Sequence, residues 1–246
     1  LFTDSIVSPA LIEIAKTLLD SGRISPLLLK DYIQPIVKLA QQYCNRLKVN
    51  PFNYDYSDYT LLDVLSFLNT TSTNAALQNW LAIKKSPYLQ IHAAGHLLQN
   101  NQTVNTTVWQ NLAANKATRT RLYDTLQAYK KETFFPKEYL KQRYFAESHI
   151  YAAASEDEEP STLTYLTQKV IYFNNKPARF YFYNVTYGDG DNATHSLVGA
   201  GPFEENVSRI HSKKAFGEIY AKENFDPNNL SAQMDNLIKQ MEERPE

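Results

Sequence analysis

Two histidines, His92 and His96, lie four residues apart in a segment that the sequence predicts to be helical. At this spacing both imidazoles lie on one face of a helix, where they could bind one metal ion. In a zinc protease motif a glutamate follows the first histidine directly, and here Ala93 stands in that place. No third ligand is close in sequence. We therefore expect a polar helix edge here and no metal site.

Other motifs that would indicate catalysis are missing from the sequence. Asp189 and Asp191 alternate with glycines as in part of a calcium loop, but the twelve-residue pattern and its final glutamate are absent, so a hairpin turn is expected. There is no glycine-rich phosphate loop, no Gly-x-Ser-x-Gly and no Cys-x-x-Cys. Cys44, the single cysteine, is expected to be buried. The sequence thus predicts that the chain is not an enzyme and has no catalytic residue and no cofactor.

A tyrosine-rich stretch near residues 165–187 has the alternation of β-strands. This alternation places four side chains largely on one face, namely Arg179, Tyr181, Tyr183 and Tyr187. Tyrosine has a flat apolar ring with a polar tip, which suits the binding of a sugar ring or a protein surface. We take these residues as a candidate ligand-binding face. Ordinary packing between neighbouring strands remains the alternative.

The first part of the chain, residues 1–155, has the apolar spacing of consecutive helices. In segment 86–100, Ser86 and Pro87 predict a capped helix start, and Gly95 lies on the apolar face. A glycine there predicts close contact with another helix. Leading helices are expected near residues 60, 87 and 117, a period of roughly thirty residues that is typical of helical-hairpin repeats.

Segment 85–98, KSPYLQIHAAGHLL, resembles the first helix of a HEAT-type repeat. It shares the capped start, the small residues that follow and the paired leucines. It departs from the pattern in lacking a basic residue near Ile91 or His92. The resemblance extends over residues 58–150 and implies an α–α superhelix.

The acidic, proline-terminated run 156–161 is expected to be a linker. Beyond it, alternation predicts three strands, a short fourth one near residues 216–220 and a last helix that Asp226 and Pro227 begin. We predict an α+β chain with a helical-repeat domain at 1–155. The second domain, 161–246, is predicted to be a small antiparallel sheet with one face under the C-terminal helix.

The succession of segments is similar to the C-terminal region of large bacterial proteins with an N-terminal TraB/GumN-type domain. The similarity rests on residues 19–24 (LDSGRI), 135–140 (FPKEYL) and 165–225. It implies that the chain is a fragment of a larger protein. The catalytic-type domain is not in this chain, so no functional residue is carried over.

Composition limits the partners. Apolar residues make up 43% of the 246 residues, and the net charge of −1 gives no indication of nucleic acid binding. No run approaches the ~20 apolar residues of a membrane span. The chain starts at Leu1 without methionine, and we expect it to be a piece of something longer. Seven Asn-x-Ser/Thr sequons permit a secreted or periplasmic location without demonstrating it: Asn69, Asn101, Asn105, Asn184, Asn192, Asn206 and Asn229.

Two classes of function are compatible with these features. The first is a non-catalytic scaffold whose concave helical side binds a protein or peptide. The alternative is a carbohydrate-binding accessory module that uses the tyrosine face. An exposed aromatic row on the sheet would favour the carbohydrate module, and a bare helical groove would favour the scaffold.

Overall fold

The chain has an α+β fold, and the computed structural model describes residues 8–154, 159–205 and 219–243. The helices are α1 (Pro9–Asp20), α2 (Ile33–Val49), α3 (Tyr56–Leu68), α4 (Thr71–Trp80), α5 (Pro87–Gln99), α6 (Thr106–Ala114), α7 (Arg119–Ala128), α8 (Gln142–Ala154) and α9 (Leu230–Glu242). The strands are β1 (Thr162–Phe173), β2 (Lys176–Tyr187), β3 (Thr194–Glu204) and β4 (Ile219–Asn224). Short 3-10 helices include Pro26–Tyr32, Lys137–Leu140 and Pro227–Asn229.

The chain divides into two compact units. The helical unit comprises residues 1–112 and 121–134, and the sheet unit comprises residues 113–120 and 135–246. The division therefore differs from the predicted domains 1–155 and 161–246, because α8 belongs with the sheet. Residues 156–158 of the predicted linker lie outside the described residues.

A hydrophobic core of the helical unit includes the region where α4 packs against α2, α3 and α5. A two-residue turn, Asn69–Thr70, connects α3 to α4, and Asn69 adopts a left-handed conformation there. Thr70 and Thr73 form a reciprocal capping box at the start of α4. The largest fully buried side chains of this core include Trp80, Leu47, Leu61, Leu62, Leu65 and Leu77.

Helix α5 begins at Pro87, as the sequence predicts. Ser86 is the N-cap residue, but its side chain makes no capping hydrogen bond. Its hydroxyl instead donates to the carbonyl of Pro51, 2.7 Å away. This bond ties the loop that follows α2 to the start of α5.

Gly95 lies at a helix contact, which confirms the prediction from its place on the apolar face. A Cβ at this position would lie 2.5 Å from Cε2 of the Tyr129 ring and 3.1 Å from the Thr125 methyl group in α7. A side chain at position 95 would therefore have to displace the Tyr129 ring, and glycine lets the ring pack directly on α5.

Gly95→Leu is expected to lower the free energy of unfolding of the helical unit by about 1–3 kcal/mol, because the added side chain overpacks against Tyr129. Urea unfolding followed by tryptophan fluorescence measures this, since both tryptophans, Trp80 and Trp109, belong to the helical unit. As a control, Gly95→Ala should cost less stability in a Tyr129→Leu background than in the wild type. If the two substitutions lower the free energy of unfolding additively, Gly95 and Tyr129 are not in contact.

The sheet unit holds four antiparallel strands in the order β1-β2-β3-β4. Irregularities interrupt the pairing between Tyr165 and Thr167 and between Arg179 and Tyr181. One face of the sheet packs against α9, as predicted, through a core that includes Phe180, Phe182, Leu197, Leu237 and Met241. The fourth strand is described over Ile219–Asn224, and residues 216–218 of the predicted fourth strand lie outside the described residues.

Candidate functional site

Three side chains of the helical unit converge on one point. His92 and His96 lie one turn apart on α5, and Asp63 comes from the neighbouring helix α3. Oδ1 of Asp63 lies 2.6 Å from Nε2 of His92 and 2.8 Å from Nε2 of His96. The two Nε2 atoms are 3.2 Å apart. We call these three residues the His–Asp cluster.

Two further contacts orient the His–Asp cluster. Nδ1 of His96 lies 3.1 Å from Oε1 of Gln99, which is an acceptor, so Nδ1 carries the proton of this bond. The ammonium of Lys16 lies 3.4 Å from Oδ2 of Asp63 and 2.5 Å from the carboxylate of Asp20. Oδ1 of Asp63 is thereby left for the histidines.

Electrostatics keep Asp63 ionised. Burial raises the pKa of the Asp63 carboxyl, but the hydrogen bonds and charges of His92 and His96 outweigh burial and hold this pKa well below its usual range. Burial, with the charge of Asp63, raises the pKa of the Tyr129 phenol nearby. The site thus combines a carboxylate with nitrogen donors, which together can bind a cation.

A cleft of about 510 Å³ opens beside the cluster. Its lining includes Asp63, His96 and Tyr129, together with the amides of Asn69 and Asn100. A ligand in this cleft would reach Asp63 and His96 directly and would meet both polar and apolar surface.

Exposed apolar residues lie in the same unit from the last residue of α2, through the loop that follows, to the first residue of α3. Val49 is 88% exposed, Phe52 78% and Tyr56 68%. We call residues 49–56 the aromatic loop. Isolated exposed apolar residues are common, but a group of large ones on one short loop is typical of a binding surface.

The aromatic loop is fixed at its end by an ion pair. Arg46 of α2 donates two hydrogen bonds to the buried carboxylate of Asp58, at 2.8 and 2.7 Å. Asp58 also accepts from the backbone N–H of Asp55, and Asp55 caps α3 through the N–H of Ser57. Burial raises the pKa of Asp58, and Arg46 opposes this rise. The end of the loop is therefore tied to groups on both adjoining helices.

Aromatic rings connect the loop with the His–Asp cluster. The rings of Tyr54 and Tyr59 are 6.4 Å apart, and the Tyr59 ring lies edge-on to His92 at 5.3 Å. Tyr88 on α5 is half-exposed. The aromatic loop and the cluster are thus parts of one region of the helical unit.

The tyrosine face predicted from the sequence needs correction. Tyr181 and Tyr183 are only 4% and 2% exposed, because α8 packs against β2 and β3. The Tyr181 hydroxyl donates to Oε1 of Gln142, and the Tyr183 hydroxyl donates to the carbonyl of Arg143.

The other two residues of that face are half-buried: Arg179, which donates to the carbonyl of Glu205, and Tyr187. The exposed aromatic row that would favour a carbohydrate module is therefore absent from this set of four residues.

The remaining sequence candidates fall into ordinary positions. Asp189 and Asp191 are exposed in a turn that contains the 3-10 helix Gly190–Asn192, and Cys44 is buried as expected. Within residues 8–154, 159–205 and 219–243, the only close group of three potential metal ligands is the His–Asp cluster. None of the helices described is both long enough and apolar enough to cross a membrane.

The sequence analysis missed Asp63. It is the one charged residue between Leu61 and Leu68, an otherwise apolar stretch with a serine. An acid inside the apolar run of a helix was the available signal that its side chain has a partner elsewhere.

No protein-family model matches the chain, and neither a curated protein nor a solved structure is significantly similar to it.

Proposed function

We propose that this chain is a non-catalytic scaffold that binds a protein or peptide partner through the aromatic loop of its helical unit. The observation that carries the proposal is the exposure of Val49, Phe52 and Tyr56 on a loop held in place from both sides. Large aromatic side chains are the residues on which protein interfaces most often depend.

Rigidity of the loop favours this function. A loop that is already ordered loses little conformational entropy when a partner binds, so more of the contact energy is available as affinity. The bonds from Arg46 to Asp58 and from Ser86 to Pro51 supply this order. Tyrosine and phenylalanine add large contact areas with few rotatable bonds.

The finer part of the proposal is that the helical unit is an array of HEAT-like hairpins. The short turn between α3 and α4 makes them antiparallel neighbours, and α5 packs against both. Stacking of this kind is what a repeat array needs, because each hairpin alone buries only one face.

The test is selection of binding peptides from a random library on the immobilised full chain, followed by affinity measurement. We expect selected peptides to lose at least about tenfold in affinity, or about 1.4 kcal/mol, when Phe52 or Tyr56 is changed to serine. The matched control is Tyr172→Ser, since Tyr172 in β1 is also 78% exposed. This control should leave the affinity unchanged.

Two results would contradict the proposal. One is a library that yields no peptide binding the chain above background. The other is a set of peptides whose affinity is the same for the wild type and for both loop variants.

A further inference from the structure

We propose that Asp63, His92 and His96 bind one divalent transition-metal ion through Oδ1 of Asp63 and Nε2 of each histidine. This inference goes against the expectation from sequence, which found two ligands and no third. It is also independent of the proposed partner binding by the aromatic loop.

The distances between the donor atoms match those around a small metal ion. Zinc–nitrogen bonds of about 2.0–2.1 Å at tetrahedral angles separate two nitrogens by about 3.3 Å. The Nε2 atoms of His92 and His96 are 3.2 Å apart. Oδ1 of Asp63 lies nearer to both nitrogens, so it would withdraw by roughly half an ångström as the ion enters.

When both histidines are neutral, the contact between Nε2 of His96 and Oδ1 of Asp63 has no hydrogen atom to share. Since His96 donates from Nδ1 to Gln99, its Nε2 is a bare lone pair when the ring is neutral. That lone pair faces the Oδ1 of Asp63 at 2.8 Å, and Oδ1 is ionised. A proton on Nε2 would turn this contact into a hydrogen bond, whereas a metal ion would provide a partner for all three donor atoms at once.

Neighbouring side chains hold the proposed ligands in place, as they do at known metal sites. Histidines that bind metals usually donate their second ring nitrogen to an oxygen, as His96 does to Gln99. Metal-binding carboxylates are themselves usually held, as Lys16 holds Oδ2 of Asp63. Asp20 pairs with Lys16, which offsets the positive charge close to the site.

The donor set indicates the class of metal. Two imidazoles favour zinc or another first-row transition ion over magnesium or calcium, which prefer oxygen ligands. Three protein ligands leave at least one coordination position free, and both Asp63 and His96 line the cleft of about 510 Å³. That position would be filled by water or by a small anionic ligand from the cleft.

The experiment titrates Zn²⁺ into the untagged full chain at neutral pH, after treatment with a chelator, in competition with a chromophoric zinc indicator. We expect one equivalent to bind. His92→Gln and His96→Gln should each weaken binding by more than about 100-fold, beyond the 10–100-fold typical of residues outside the ligand set. Gln99→Leu should weaken it by about tenfold.

Matched controls separate this site from adventitious binding. His195→Gln removes an imidazole from β3 and should leave the affinity unchanged. Asp63→Asn also removes the ion pair between Asp63 and Lys16, so the far-UV circular dichroism of this variant is compared with that of the wild type. The two histidine variants test the site without altering the Lys16–Asp63 ion pair.

A second measurement uses Co²⁺, whose visible absorption reports nitrogen ligation and low coordination number. The wild type should show this absorption at one equivalent, and His92→Gln should lose it. Less than a tenth of an equivalent of zinc would overturn the proposal and leave a histidine–aspartate ion pair only. Stoichiometric zinc with equal affinity in wild type, His92→Gln and His96→Gln would overturn it as well.

Discussion

Replacing Arg119 by methionine is expected to lower the free energy of unfolding of the sheet unit by about 3–5 kcal/mol, because it breaks the ion pair of a buried guanidinium with a partly buried carboxylate and removes the hydrogen bonds of that guanidinium. The side chain of Arg119 is almost completely buried, and its NH1 lies 2.8 Å from the Glu147 carboxylate. Methionine can fill much of the volume but cannot satisfy the carboxylate.

The guanidinium of Arg119 also donates to three backbone carbonyls, two at the end of α6 and one in the first turn of α8. Nε donates to the carbonyl of Ala113 at 2.7 Å and NH2 to that of Ala114 at 3.1 Å, both at the end of α6. NH1 also donates to the carbonyl of Tyr144 at 2.5 Å. The last carbonyls of a helix lack partners within the helix, so removing this donor leaves several acceptors unpaired together.

Chemical denaturation followed by far-UV circular dichroism measures the loss, because the sheet unit contains neither tryptophan. The control is Arg143→Met in α8, where the side chain is exposed and the expected change is within about 0.5 kcal/mol. Arg119→Lys should fall between the two, since lysine keeps the charge but not the planar set of donors. Equal stability of Arg119→Met and Arg143→Met would refute this role.

Local patterns in the sequence predicted the elements well. The change from helical spacing to alternation near residue 161 gave the α+β class, and the structure has its first strand at Thr162–Phe173. The helix start at Pro87 and the stripe of α9 were also predicted correctly, because a proline at the first helical position and amphipathic spacing depend on neighbours within a few residues. Ser86, predicted to cap this helix, makes no capping hydrogen bond. The helical-repeat character is still a prediction.

The assignment of α8 to the helical domain failed for a physical reason. Helix α8 has buried residues on several sides, so its sequence does not show which partner it covers. Its polar residue Gln142 accepts from Tyr181 and donates to the carbonyl of Glu204, 62 residues away. Such contacts decide which sheet face is solvent-exposed, and no local pattern contains them.

Only the two histidines of the His–Asp cluster could be placed together from the sequence. Spacing placed His92 and His96 on one side of a helix, but Asp63 is 29 residues from His92 and on another helix. Only the packing of α3 against α5 brings the carboxylate to the imidazoles. A site whose side chains come from two helices can be recognised only once the tertiary arrangement is known, whereas a motif on one helix can be recognised from sequence alone.

Trp80→Ala is expected to lower the free energy of unfolding of the helical unit by about 3–5 kcal/mol, as for other large aromatic residues in cores. Trp80 is fully buried at the end of α4, the helix that packs against α2, α3 and α5. Truncation would leave a cavity where these helices meet. The surrounding helices are capped and joined by short turns, such as Asn69–Thr70, so they can collapse only partly into the space.

Fluorescence of Trp109 serves as the reporter in the Trp80 variants, because it belongs to the same unit and is itself buried. Trp80→Phe is the control. Among the described residues the indole Nε1 of Trp80 has no hydrogen-bond partner, so phenylalanine loses no bond and also removes an unpaired donor. Its cost should therefore be well below that of alanine. An alanine variant that lost less than about 1 kcal/mol would mean that the core repacks around the site, and the central position of α4 would then not determine the stability of this unit.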